Sequence, residues 1–143
     1  MSTKKSYFSV DFRVLYADTD QMGIMYHGAY VKYLEMARTE LLRACDMTYK
    51  SIEDSGLMSP ILNLNIKYIK PCKYDQIIEI RTWVSDLKGS RLMFDYELFI
   101  ENKLTTIAQT TLAFLDMKTG RPQRINTTFK TKLNPYTYEP KTD

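Results

Sequence analysis

Charged residues and glycine are concentrated in one segment, Tyr16–Gly28, which connects the first predicted strand to a long predicted helix. This segment contains Asp18 and Asp20, and it ends with His27, the single histidine of the chain. A carboxylate can activate water or attack an acyl carbonyl, and a histidine can move protons near neutral pH. These residue types predict one of three things: a metal site, a structural turn or a catalytic loop.

A metal site is the weakest of these interpretations. Asp18, Asp20 and Gly23 match the first, third and sixth positions of a calcium-binding loop. Met22 and Ala29, however, occupy the fifth and twelfth positions, where calcium needs oxygen ligands. Two carboxylates do not hold calcium tightly, so we expect no metal.

A structural turn and a catalytic loop both remain open from the residues alone. Aspartate is common in turns because its carboxylate accepts hydrogen bonds from nearby backbone N–H groups, which suits Asp18. The stretch from His27 to Tyr30, however, has no Ser, Thr, Asp or Asn to cap the helix that follows. Its first N–H groups are therefore available to a ligand oxygen, such as the oxyanion formed when an acyl carbonyl is attacked. Asp20 would then activate water or attack directly.

The elements that position this loop follow from hydrophobic periodicity. Strand-like alternation is predicted in five places, namely Phe8–Tyr16, Leu62–Tyr68, Ile78–Val84, Leu92–Ile100 and Thr106–Met117. Between Ala29 and Cys45, polar residues recur every three or four positions, which predicts a helix about 27 Å long with one solvated stripe. A short second helix is expected over Tyr49–Asp54, ended by Gly56. A mostly apolar helix needs wrapping, and about five strands can wrap it, so the predicted fold is α+β.

The chain length predicts one domain that spans residues 1–143. Residues 134–143 are expected to form a loosely held tail. Apolar residues make up 44% of the chain and the net charge is only +3, which excludes a disordered protein and does not indicate nucleic-acid binding. Cys45 and Cys72 are too far apart in sequence for a metal knuckle and are expected as free buried thiols. No apolar leader or membrane-spanning stretch is predicted, so we expect a cytoplasmic protein.

The loop and helix together resemble a known family. The motif reads Asp18-Thr-Asp20-Gln-Met-Gly23-Ile-Met-Tyr26-His27-Gly28-Ala-Tyr30, followed by Glu35-Met-Ala-Arg38-Thr-Glu40. It is similar to the hotdog-fold acyl-CoA thioesterases, in particular the 4-hydroxybenzoyl-CoA thioesterase-like branch that includes the Tol–Pal-associated bacterial enzymes. The resemblance covers roughly residues 8–130 and implies a central helix wrapped by a curved antiparallel sheet.

The resemblance also assigns site residues and a reaction, the hydrolysis of a thioester to free acid and coenzyme A without a metal or redox cofactor. It implies that Asp20 is the catalytic carboxylate, as general base or nucleophile, and that the backbone N–H of His27 polarises the carbonyl. The His27 imidazole is implied to orient the carbonyl or the water, and Asp18 to support the loop. The implied substrate-binding residues of this loop are Tyr16, Gly23, Tyr26, Gly28 and Tyr30. The bulky Gln21 and Met22 are expected to narrow the acyl pocket.

Basic loop residues are candidates for binding the phosphates of coenzyme A. They are Lys70, Lys73, Lys88, Arg91, Arg121 and Arg124. The resemblance further implies a homodimer, often paired into a homotetramer. Trp83, Met93 and Phe99 support such an assembly, because they place large apolar groups on the predicted outer face of the sheet.

Two other functions remain open. The first is hydrolysis of acyl groups carried by an acyl carrier protein, which a basic rim would serve equally well. The second is a non-catalytic hotdog protein that binds acyl ligands or acts as a scaffold. The presence of both Asp20 and His27 counts against the second. A dehydratase or hydratase is less favoured, because the arrangement does not resemble the signatures of those enzymes.

Overall fold

A long helix packed against an antiparallel sheet dominates the computed structural model, which describes residues 5–140. In chain order the elements are β1 (Phe8–Arg13), α1 (Tyr30–Ala44), α2 (Tyr49–Asp54), β2 (Leu57–Met58), β3 (Ile61–Tyr68), β4 (Ile77–Lys88), β5 (Arg91–Ile100), β6 (Lys103–Ala113), β7 (Leu115–Asp116) and α3 (Thr127–Leu133). The five-stranded sheet has the order β1–β4–β5–β6–β3, and β2 pairs separately with β7. The predicted α+β architecture is confirmed.

The core lies between α1 and the concave face of the sheet. In β5 every second residue from Leu92 to Ile100 is buried, as the alternation of apolar and polar residues predicts. The buried side of α1 is formed by Tyr30, Tyr33, Leu34, Ala37, Arg38, Leu41 and Leu42. This helix packs mainly on β4 and β1. The sheet therefore has a covered side at β1 and a more open side at β3.

The first strand is shorter than predicted, because β1 ends at Arg13 instead of continuing to Tyr16. The chain turns into a 3₁₀ turn at Tyr16–Asp18. Asp18 is drawn toward α1, since its carboxylate accepts hydrogen bonds from Lys32 and Tyr33. The strand thus ends because of a contact with α1, which follows later in the sequence. The alternation of apolar and polar residues within the strand cannot predict such a contact.

The C-terminal segment, predicted as a loosely held tail, makes several contacts within residues 134–140. Tyr138 donates its backbone N–H to the carbonyl of Val84, and its ring lies edge-on against Trp83 with centroids 5.6 Å apart. Ser6 donates its N–H to the carbonyl of Pro135. This part of the chain therefore covers Trp83, which the sequence suggested a second subunit would cover, while residues 141–143 lie outside the described residues.

Candidate active site

A cavity of about 370 Å³ opens where the loop before α1 meets the end of β3. It is lined by Asp20, Ile24, Met25, His27, Tyr30, Tyr68, Ile69, Lys70 and Pro71. The structure therefore brings together four residues that the sequence predicted for the site, namely Asp20, His27, Tyr30 and Lys70. Most of the remaining lining is apolar, as expected for a pocket that accepts an acyl group.

Asp20 is held in a tight turn that fixes its carboxylate. Its Oδ1 accepts a hydrogen bond from the N–H of Met22 at 2.7 Å, and its carbonyl accepts one from the N–H of Gly23 at 3.0 Å. The turn needs a left-handed residue, which Gly23 provides with φ of 77°. Within residues 5–140 the second carboxylate oxygen, Oδ2, accepts no hydrogen bond. One oxygen is therefore anchored while the other remains available to a ligand or water.

His27 begins a 3₁₀ turn, His27–Ala29, that leads directly into α1 without a side-chain cap. The neighbouring amides are already used, since Tyr26 donates to the carbonyl of Asp18 and Ala29 donates to the carbonyl of Tyr26. Across the described part of the chain, the amides of His27 and Gly28 have no acceptor. Free N–H groups are expected at an uncapped helix start, and a ligand oxygen could accept hydrogen bonds from them.

Tyrosine side chains shape both sides of this helix start. The centroids of the Tyr26 and His27 rings are 4.3 Å apart. A Cβ on Gly28 would come within 2.8 Å of the Tyr26 ring. Glycine at position 28 therefore allows the ring to lie over the turn. On the other side, the Tyr68 hydroxyl donates to the carbonyl of His27 at 2.9 Å.

Asp18 anchors the loop to α1 from outside the cavity. Lys32 Nζ lies 2.6 and 2.7 Å from its two carboxylate oxygens, and the Tyr33 hydroxyl donates to Oδ2 at 2.6 Å. Burial alone would raise the pKa of Asp18, but the hydrogen bonds from Lys32 and Tyr33 and the Lys32 charge together lower it. The arrangement is that of a structural carboxylate, as the sequence suggested.

Tyr30 is the buried wall of the cavity. It is 2% exposed, and its ring meets that of Tyr68 edge-on with centroids 4.9 Å apart. Burial, reinforced by the neighbouring Cys72 thiol, raises the pKa of Tyr30. Tyr30 therefore stays protonated under ordinary conditions and presents a neutral surface to an acyl group.

Several residues predicted for the site lie elsewhere in the chain. Tyr16 is 77% exposed and packs edge-on against Tyr74, outside the cavity lining. Lys88 and Arg91 lie opposite each other in the strand register at the β4–β5 turn. Arg91 also lies opposite Ala113 of β6. Tyr68 lies opposite Thr106 on the same strand as Ala113, so these two basic residues are about 23 Å away along the sheet. Of the basic candidates, only Lys70 lines the cavity of this chain, and Lys73 adjoins it through its bridge to Ile24.

Tyr68 and Ile69 line the cavity although sequence analysis assigned neither to the site. From the sequence they are predicted only to lie at the end of a strand in which apolar and polar residues alternate. Their place beside Tyr30 depends on which strand forms the sheet edge, and this is set by the pairing of β3 with β6. The sequence offered one signal for them: the apolar pair Tyr68-Ile69 extends beyond the end of the strand.

Comparison with known proteins defines the family to which this chain belongs. The family model of the thioesterase-like superfamily matches residues 14–133. An acyl-CoA thioesterase YbgC from Haemophilus influenzae is 33% identical over 116 residues, which is 80% of this chain and 85% of that protein. A putative acyl-CoA thioesterase YneP from Bacillus subtilis is 36% identical, with the match spanning 62% of this chain and 64% of that protein.

Among solved structures, a DHNA-CoA thioesterase from Staphylococcus aureus superposes with a TM-score of 0.79. It is 33% identical, and the match covers 82% of this chain and 80% of that one. The fold is thus that of a hotdog-type thioesterase. The chain belongs to the thioesterase-like superfamily, and it is a thioesterase. Over residues 5–140, no helix is long and apolar enough to cross a membrane.

Proposed function

We propose that this protein hydrolyses acyl-CoA thioesters, with Asp20 as the catalytic carboxylate. The observation that carries the proposal is that Asp20 and the acceptor-free amide of His27 lie at one cavity with a mostly apolar lining. An acyl-CoA thioesterase needs the same three features: a base or nucleophile, an oxyanion donor and an acyl pocket. The activities of the related YbgC and DHNA-CoA thioesterases support this substrate class.

The reaction follows from these groups by either of two routes. As a general base, Asp20 removes a proton from water while the water oxygen bonds to the thioester carbon. The carbon–sulfur bond then breaks, and the thiolate of coenzyme A leaves and takes up a proton. As a nucleophile, an Asp20 oxygen bonds to the carbon and expels the thiolate, and water hydrolyses the resulting mixed anhydride. Neither route needs a metal or a redox cofactor.

The negative charge that develops on the carbonyl oxygen needs a donor. The amides of His27 and Gly28 stand at the start of α1, where the helix dipole adds a positive partial charge. One such donor typically contributes roughly 3–4 kcal/mol to transition-state stabilisation. The Tyr68 hydroxyl holds the carbonyl of His27 and so fixes the peptide that carries the next amide.

The coenzyme A moiety is proposed to lie across Lys70 and Lys73, the basic residues at this cavity. Lys88 and Arg91 are too distant to serve the same site of one chain, so any role for them requires a second chain. We place the enzyme in the cytoplasm, since Cys45 and Cys72 are both free and buried. A homodimer or homotetramer is proposed, and the exposed edge strand β3 supports it.

Thiol release from acyl-CoA tests the assignment of Asp20. We expect Asp20→Asn to lower kcat at least about a hundredfold, because asparagine preserves the turn but neither accepts a proton nor attacks the thioester. Asp54→Asn is the matched control, since Asp54 is exposed in α2 and pairs only with Lys50 among the described residues. Turnover by Asp20→Asn close to that of the control would remove Asp20 from the mechanism.

A further inference from the structure

A buried arginine in the core has no acidic partner. Arg38 is 3% exposed, yet no carboxylate among residues 5–140 comes within 4.0 Å of its guanidinium. Its Nε donates to the Tyr49 hydroxyl at 2.6 Å and its Nη1 to the Tyr96 hydroxyl at 3.1 Å. Tyr96 in turn shares a 2.7 Å hydrogen bond with Thr110. A buried charge normally has a counter-ion, so the position needs another explanation.

The guanidinium borders a second cavity. This cavity has a volume of about 420 Å³ and is lined by residues of α1, α2 and the segment that leads into β3. Nη2 has no acceptor within the described residues. The atom is not completely enclosed by protein, so a ligand can reach it. Three of the five N–H groups of Arg38 therefore have no acceptor among the described residues, and the two on Nη2 are available to something that enters the cavity.

The second cavity is aligned with the candidate active site along α1. Tyr30, Leu34 and Arg38 are spaced four residues apart and lie on one buried face of the helix. Tyr30 lines the active-site cavity and Arg38 the second one, about 12 Å further along the axis. Because α1 packs mainly on β4 and β1, the side of the helix toward β3 is less covered within one chain.

We propose that Arg38 is a specificity-determining residue, which binds a carboxylate at the far end of the acyl chain. This inference rests on the proposed thioesterase function. An extended chain spans about 1.2 Å per bond, so about ten bonds match the separation of Tyr30 and Arg38 along the helix axis. A planar guanidinium with free N–H groups suits a carboxylate, and a buried cation gains most from an anion. The preferred substrate class is therefore a medium-chain dicarboxylic acid monothioester of coenzyme A.

Two carboxylates also line the second cavity, and they act against an anionic ligand. Glu35 lies one helical turn before Arg38, and Glu53 lies in α2; both are exposed. Their negative charges lower the affinity for a carboxylate without being paired to Arg38. Removing one of them should therefore strengthen selection for the dicarboxylic substrate and leave the guanidinium in place.

The first test compares length-matched thioesters, decanedioyl-CoA with decanoyl-CoA and succinyl-CoA with butyryl-CoA. We expect kcat/KM for decanedioyl-CoA to exceed that for decanoyl-CoA about tenfold, the scale of one charged hydrogen bond. The four-carbon pair should show no such preference, because succinyl-CoA is too short to reach Arg38. In Arg38→Met the ten-carbon preference should disappear, while thermal unfolding and the four-carbon pair report whether the variant is folded.

Glu35→Gln provides a test that does not depend on replacing a buried residue. The ratio of kcat/KM for decanedioyl-CoA to that for decanoyl-CoA should rise severalfold in this variant. Glu40→Gln makes the same charge change on the same helix, outside the second cavity, and should leave the ratio as in the wild type. Equal rates within the ten-carbon pair, or a ratio that Glu35→Gln does not move, would overturn the assignment and leave the thioesterase function standing. Hydrolysis of none of the four thioesters would overturn both.

Discussion

Asp18 and Asp20 are two residues apart, but their surroundings differ. Asp18 is bound by the Lys32 ammonium and the Tyr33 hydroxyl, so its oxygens are already occupied. The Asp20 carboxylate accepts only the N–H of Met22 within the described residues, and Asp20 lines the candidate active site. The same side-chain type therefore supports the loop at one position and is available for chemistry at the next. The difference depends on α1, which supplies both partners of Asp18.

The support role of Asp18 predicts a pH-dependent stability. Because the pKa of Asp18 is lowered on folding, its ionised form favours the folded state above the usual aspartate pKa of about 3.9. This contribution is lost as the pH falls below that value and through the lowered pKa of the folded state. We expect Asp18→Asn to cost about 2 kcal/mol at pH near 7, and the difference from the wild type to shrink toward about pH 3.

Urea unfolding of the two proteins across this pH range measures the difference. Asp11→Asn is a suitable control, because Asp11 is exposed in β1 and makes no ion pair within residues 5–140. A difference between wild type and Asp18→Asn that stayed constant with pH would contradict the ionic contribution of the Lys32 contact.

Individual site residues were predictable to different degrees. The family resemblance assigned Asp20 and His27 to the candidate site, and the uncapped helix start that agrees with this assignment is a local feature of the sequence. Tyr68 could not be predicted, since its contact with the His27 carbonyl joins residues that are far apart in sequence. Arg38 appeared only as part of a helix motif, because its burial without an acidic partner is a tertiary property.

Among the elements, α1 and the central strands follow from periodicity, while the segments fixed by contacts at a distance do not. The observed α1, Tyr30–Ala44, falls within the predicted Ala29–Cys45. By contrast, α3 was not predicted, although Asn126 caps it by accepting the N–H of Phe129. The helix has only seven residues, too few to show a clear period, and the packing of Phe129 on Phe114 holds it in place.

The packing of the C-terminal segment on β4 predicts a spectroscopic change. Trp83 is the single tryptophan of the chain and is 4% exposed beneath Tyr138. We expect Tyr138→Ala to shift tryptophan emission to longer wavelength, because water then reaches the indole ring. Loss of the edge-on pair should also lower the free energy of unfolding by about 1 kcal/mol.

Tyr74→Ala is the matched control for this experiment, since Tyr74 is exposed and packs on Tyr16, not on Trp83. Its emission maximum should equal that of the wild type. An emission maximum in Tyr138→Ala that did not move would show that something else shields Trp83 in solution.

At the level of the whole molecule, β3 is an exposed edge strand of the sheet. Seven of its eight residues are exposed and one is half-buried, and its outer edge has no partner strand within residues 5–140. Exposed edge strands with apolar side chains tend to pair with another chain. Since Tyr68 at the end of β3 lines the candidate active site, a second copy paired here would also border that cavity.

This edge predicts that the protein is a homodimer or a larger homo-oligomer that dissociates when β3 is altered. Leu64→Glu should shift the mass measured by light scattering toward the monomer, because a carboxylate would replace a half-exposed apolar side chain in the middle of the strand. Activity per chain should then fall on dilution more steeply than in the wild type. Met117→Glu introduces the same charge at another exposed apolar residue outside the sheet and should change neither property. A wild-type protein that is monomeric at micromolar concentration and fully active there would show that one chain forms the complete site.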